Sequence, residues 1–306
     1  MADVPLFSSI ETAAPLQFQV GLHRRIVGHA GLIIGATILI AIVLLAVFAP
    51  LLAPHDPYAQ DLANRRLPPI WHEWFYHNAK AGWAHPFGTD NIGRDYLSRI
   101  IYGARISIMI GVLAMLLSGV IGTCLGVVAG YFGGRVDMVV NFMITTRLSL
   151  PFILVALAVV SLYGGSMKII IIVLGFLVWD RFAVVMRSVT MQARGLDYVT
   201  VARATGCSTP YIVLREILPN VVNSLIVVAT IEMAHVILIE ATLSFLGLGV
   251  KPPEPSWGLM LAEAKNDMFF NPWMITIPGT ALFLMVFAIN LLGDGIRDVT
   301  APENRN

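Results

Sequence analysis

The sequence predicts an all-α integral membrane protein with six transmembrane helices and both termini in the cytoplasm. Two observations set the class. The chain of 306 residues is 57% hydrophobic and only 13% charged, whereas a soluble domain carries about a quarter charged residues. Residues 106–134 and 268–293 contain no Asp, Glu, Lys or Arg. Each run exceeds the ~20 residues that cross ~30 Å of hydrocarbon as a helix. Runs of this kind are carried by helices rather than by a barrel.

Residues 1–29 read as a polar cytoplasmic tail ending in His23, Arg24 and Arg25. The first span occupies residues 30–53. Its apolar core is longer than the 7–15 residues typical of a cleavable signal peptide, so it is expected to be retained. Pro50 and Pro54 mark its exit. Residues 54–104 form a hydrophilic periplasmic segment, the only connection large enough for a small structured cap. A core of five further spans then covers residues 105–293. Span two is expected at 105–131, span three at 138–163, span four at 168–186, span five at 221–246 and span six at 273–292. A second hydrophilic segment, 251–272, precedes the last span, and a cytoplasmic tail covers 294–306. Arg24 and Arg25 stand before the first span, and no acid balances them until Asp56. This places the N-terminus inside, because short basic flanks set orientation and long segments count less.

Residues 187–220 form the central loop, which is then also cytoplasmic. Asp197 is placed to cap a short helix. Tyr198, Val201, Ala202 and Thr205 follow at helical spacing on one face. Gly206 suits the left-handed residue beyond a helix end. Thr209 and Pro210 read as the cap and first position of a second helix, and Pro219 should stop or kink it. Helices this short are marginal in water. They are held either by the rest of this chain, as an ordinary packed loop, or by a partner protein, as a docking element.

Arg147, Asp180, Arg181, Glu232 and Glu240 fall within or beside the apolar runs, where a charge at the bilayer centre costs at least ~2.5–3.5 kcal/mol. Asp180 and Arg181 at a membrane surface, with Arg147 snorkelling to the cytoplasmic end of span three, is the plain reading. Glu232 and Glu240 fall on one side of a helix, broadly 80° apart. With Arg147 they are the candidates for lining a translocation path. His72 and His77 flank an HExxH-like stretch at the wrong spacing, about 140° apart on a helix, and cannot share a metal. Trp71, Trp74 and Tyr76 read there as an interfacial aromatic anchor. The stretch from Asp90 to Asp95 lacks the calcium-loop order and reads as a turn. Cys124 and Cys207 are too separated in setting to suggest a disulfide, and no metal site is expected. No stretch of basic residues with interleaved aromatics suggests nucleic acid. There is no phosphate loop and no nucleophile–base arrangement, so any ATP is hydrolysed by another chain.

The stretch Val201-Ala202-Arg203-Ala204-Thr205-Gly206 with Ile217-Leu218-Pro219-Asn220 resembles the cytoplasmic EAA loop of bacterial ABC importer permeases. Three further stretches narrow the resemblance. They are His85-Pro86-Phe87-Gly88-Thr89-Asp90 through Asp95, Leu243 to Gly249 with Pro252-Pro253 and Ser256-Trp257-Gly258, and Asn290 to Asp298. In that order they look like the C-type permeases of dipeptide, oligopeptide and nickel importers, over residues 28–302. The resemblance implies the type-1 transmembrane domain of an ABC importer in the inner membrane. It also implies a second homologous permease subunit, two ABC ATPase subunits that bind ATP and Mg, and a periplasmic substrate-binding protein. The loop would be the coupling helix, with Asp197, Tyr198, Val201, Ala202, Arg203, Gly206, Leu218 and Pro219 meeting the ATPase. Thr200 and Val201 stand where the motif has glutamate and alanine, Glu216 where isoleucine is frequent, and Thr145 where many relatives carry an acid. Peptides or a related small solute are the implied cargo, and the chain itself is expected to be no enzyme. An ion-coupled secondary transporter or channel is the alternative. It would show inverted repeats, which the sequence lacks. A membrane-embedded enzyme subunit and a structural assembly factor are the other rivals.

Overall fold

The computed structural model describes residues 29–77 and 80–300. The arginines at 24 and 25, most of the N-terminal tail and residues 301–306 lie outside the described residues. Helix α1, Ala30–Val47, continues into a short turn of helix, α2, Ala49–Leu52. Helix α3 is Trp71–Tyr76 and α4 is Tyr96–Phe132. Then come α5, Gly134–Ser149, α6, Phe152–Tyr163, α7, Met167–Leu177, and α8, Trp179–Arg194. Two short helices, α9, Asp197–Ala204, and α10, Thr209–Tyr211, precede α11, Leu218–Phe245. The chain closes with α12, Trp257–Ala264, and α13, Trp273–Thr300.

Among the described residues, five helical stretches are long and apolar enough to cross a membrane, and a sixth if α5 and α6 count as one broken span. That pair is bent by 82°, so the third span is not the single helix expected over 138–163. Pro151 supplies the reason. It cannot donate to the ladder and holds Leu150 in extended backbone (φ −87°, ψ 129°). Other boundaries shift as well. Helix α4 begins nine residues before the expected 105, capped by the Asp95 carboxylate, which accepts from the Ser98 N–H at 2.8 Å. Helix α8 runs to Arg194, well into the expected loop, and α13 runs to Thr300 rather than ending at 292.

Helix α4 is the axis of the fold. Its 37 residues make a rod about 55 Å long at 1.5 Å per residue. Gly122, Gly126 and Gly130 recur every four residues and meet α8 backbone to backbone. A Cβ on Gly126 would lie 2.6 Å from the Ala183 carbonyl oxygen. Small residues at this spacing let membrane helices approach closely. Helix α11 crosses α4 at Gly111, where Ile237 fills the space of the missing side chain. Helix α1 lies against α13 in the same way, with Gly35 against the Ala288 carbonyl and Gly295 against Leu32.

The segment between α1 and α4 is folded onto the bundle by an enclosed ionic cluster. Asp90 accepts from Arg94 and Arg99, each at 2.5 Å. Both arginines also reach Glu263 on α12, at 2.9 and 2.7 Å. Burial alone would lower the Arg94 pKa, but Glu263 and Asp90 outweigh it and raise it. Asp90 is thus saturated by arginines, which fits the reading of residues 90–95 as a turn. His72 stacks edge-on against Trp273 at 4.8 Å, and His77 closes α3 in the left-handed region.

Candidate functional site

The two short helices of the central loop are held from below by their own chain. Val199 and Ala202, one helical turn apart, are buried on α9. With Ile212 and Ile217 they pack on Val127 and Tyr131 at the end of α4 and on Met186 and Ala193 of α8. Tyr198 and Leu218 lie half-buried at the margin of this cluster. The face expected to carry Tyr198, Val201, Ala202 and Thr205 together is divided: Ala202 is buried and Tyr198 half-buried, while Val201 is 60% exposed and Thr205 is exposed. Position 201 stands about 200° around the helix from Val199, so the buried stripe excludes it. Asp197 does not cap α9 either. Leu196 occupies the cap position without a side-chain bond, and Asp197 is the first helical residue, where its charge suits the helix dipole.

The end of α9 is closed as the glycine demanded. Gly206 has φ +82°. Its N–H donates to Arg203 O at 3.0 Å, and the Cys207 N–H donates to Ala202 O at 3.0 Å. This pair of bonds is a Schellman motif. The result is a rigid knuckle whose outer face carries Asp197, Thr200, Val201, Arg203 and Ala204, all exposed. The Arg203 guanidinium lies 5.1 Å from the Tyr131 ring centre. The base is pinned by Arg194, which donates to Tyr131 O at 2.9 Å, and by Arg187, which grips Asp137 with its second bond at 2.7 Å.

The second helix does not stop at Pro219. A π-helical stretch, Ile212–Ile217, leads straight into α11. The wider π turn closes with Leu218 N–H on Val213 O, five residues back. It relieves the clash that the proline ring would have with the carbonyl four residues earlier. Pro219, at the start of α11, is exposed.

The candidate path residues divide. Glu232 is buried on α11 and pairs with Arg181 of α8 at 3.2 Å, with His235 at 3.4 Å. Arg181 is 53% exposed at its side chain. These two, with Asp180, Leu148 and Ile231, line an open cleft of about 340 Å³. Arg147 does not snorkel freely. Its Nε donates to Leu177 O at 2.7 Å, at the break between α7 and α8, and its Nη2 lies 3.8 Å from Asp180. Glu240 is not brought to the cleft. It accepts from Ser244 at 2.7 Å and from Ser256, the cap of α12, at 3.0 Å. Spacing placed the two glutamates on one side of α11, but α12 covers only the second. From sequence Arg181 reads as a surface charge, and nothing in its spacing points to Glu232.

A family model described as the binding-protein-dependent transport system inner membrane component matches residues 122–306. One described as the N-terminal TM domain of oligopeptide transport permease C matches residues 22–69. The dipeptide transport system permease protein DppC of Haemophilus influenzae is 37% identical over 99% of both chains. This chain belongs to the binding-protein-dependent permeases. It is the inner-membrane component of an ABC importer, related in type to the peptide permeases, and ATP hydrolysis falls to other chains of such a system. The glutathione transport system permease protein GsiD of Pectobacterium atrosepticum is 40% identical over 72% of this chain and 73% of its own. Among solved structures, the permease chain resembles one in the inward-facing MetNI methionine ABC transporter. The TM-score is 0.56 and the identity 17%, over 66% of this chain and 97% of that one. At that identity the likeness is one of fold.

Proposed function

We propose that this permease forms half of a translocation path for short peptides or a related small solute, beside a second homologous permease subunit. Two ABC ATPase subunits drive it and a periplasmic binding protein delivers the cargo. The names of the relatives, dipeptide and glutathione permeases among them, support the cargo class. In this reading residues 54–104 face the periplasm and the knuckle at α9 faces the cytoplasm.

The coupling element is the knuckle, and one observation carries the assignment. Its inner face is fully committed to the bundle through Val199, Ala202 and Ile212, while its outer face is exposed. A prominence that is rigidly founded but uncovered can transmit a push to the spans beneath it. Asp197, Val201 and Arg203 are its contacts. Tyr198, Ala202, Gly206, Leu218 and Pro219 shape and anchor it.

The test is Gly206→Val in proteoliposomes holding the complete transporter. At φ +82° a β-branched residue is strained, so the knuckle should deform while the spans stay inserted. ATP hydrolysis should continue with uptake reduced at least tenfold. Wild-type uptake by this variant, or uptake by the native complex that persists without ATP on an ion gradient, would overturn the reading.

A further inference from the structure

The segment joining α1 to α4 gathers three metal-ligating side chains from separate stretches of chain: His55, His85 and Asp95. Their ligand atoms all lie within 4.8 Å of one another. We propose that these residues form a binding site for a divalent transition-metal cation of the zinc type, which clips the exit of the first span to the entry of α4.

The convergence is specific. His85 Nδ1 lies 2.8 Å from Asp95 Oδ1, and His55 Nδ1 lies 3.7 Å from the same oxygen. Two imidazoles thus aim at one carboxylate oxygen, their rings 4.7 Å apart and tilted by 33°. Zinc bound tetrahedrally at ~2.0–2.2 Å sets its ligand atoms roughly 3.3 Å apart. The two separations to the Asp95 oxygen straddle that value, and all three ligand atoms lie within 4.8 Å of one another. The correction falls on His55, whose side chain is 43% exposed and has room to turn.

The carboxylate is held as a ligand should be. Asp95 is 1% exposed at its side chain, and its other oxygen, Oδ2, accepts from the Ser98 N–H at 2.8 Å and hydroxyl at 2.7 Å. Ser98 Oγ also accepts from the His55 N–H at 3.1 Å. One serine therefore orients the carboxylate and fixes the backbone of a second ligand, as outer-shell partners do. Two nitrogens and one oxygen suit zinc and its first-row neighbours rather than calcium or magnesium, which take oxygen alone. The exposed side of His55 leaves a fourth position for water.

Sequence spacing offered no sign of this site. The ligands lie 30 and 10 residues apart, and only the fold of residues 54–95 joins them. The HExxH-like stretch nearby contributes neither of its histidines.

The test uses the complete transporter, purified in detergent and freed of metal with a chelator. Zn²⁺ is titrated calorimetrically and Co²⁺ by visible absorption. The wild-type complex should bind one Zn²⁺ per copy of this chain more than complexes carrying His55→Gln or His85→Gln, and Co²⁺ should show intense bands of tetrahedral N/O coordination. Affinity at this site should fall at least 100-fold in either variant, beyond the ~10–100-fold that loss of an outer-shell partner costs. Zn²⁺ should raise the melting temperature of the wild-type complex and leave that of His55→Gln unchanged, with the two melting alike when metal-free. Equal zinc stoichiometry in wild type and a His55→Gln/His85→Gln double variant would overturn the proposal. So would cobalt spectra lacking tetrahedral bands.

Discussion

Asp90 shows how one side chain can pin the connection between two membrane helices. It is 1% exposed and shared by Arg94 and Arg99, which also share Glu263. A buried pair is weak evidence of net stability, yet breaking one side leaves the other charge stranded. Asp90→Ala should therefore destabilise the chain by about 3–5 kcal/mol. The readout is a marked fall in melting temperature in detergent, with the segment between α1 and α4 newly open to protease. An unchanged melting curve would show that the arginines find other partners. The sequence marked residues 90–95 as a turn with acids and a glycine. It could not reveal the cluster, because Glu263 lies 169 residues from Arg94 along the chain. Gly206 was legible for the opposite reason. Its role is local, and a left-handed residue after a short helix is written into the adjacent residues. Ala202 and Tyr198 turn inward, against the expected outer face, because helical spacing names a face without naming which face is buried. Val199 and Ala202 offered an equally good stripe.

At the scale of elements, uncharged runs and prolines revealed most of the spans. The limits of α4, α8 and α13 were missed because each continues past its apolar stretch into polar turns that pack on neighbours. Hydropathy reports lipid contact and is blind to that continuation. The 82° break between α5 and α6 follows from Pro151, a signal that was present but is equally compatible with a mild kink. The α4–α8 contact is the joint most open to test. Gly126→Ala would put a methyl 2.6 Å from the Ala183 carbonyl oxygen, and overpacking of this kind costs about 1–3 kcal/mol. Gly126→Leu should prevent the close approach altogether. Melting temperature should fall in the order wild type, alanine, leucine. A leucine variant as stable as wild type would mean that the helices do not depend on backbone contact.

At the scale of the whole permease, the run Thr209–Phe245 is one helical stretch of 37 residues, entered from the knuckle and left beside α12. It crosses α13 closely at Thr230, where a Cβ on Gly293 would lie 2.5 Å from the threonine hydroxyl. If the stretch pivots on that crossing, Thr230 is its fulcrum. The arms on either side are about 31 Å and about 22 Å long at helical rise, so a 3 Å nudge at the Thr209 end swings the Phe245 end by about 2 Å the other way. Spin labels at Arg215 and at Leu246, each measured against a fixed site on α4, should move in opposite senses when nucleotide is added. Movement in the same sense would mean that the stretch slides or bends. If it tilts, a proline that ordinarily breaks helices has been absorbed by a wider turn so that the beam stays stiff, and the stroke delivered at one end arrives reversed at the other.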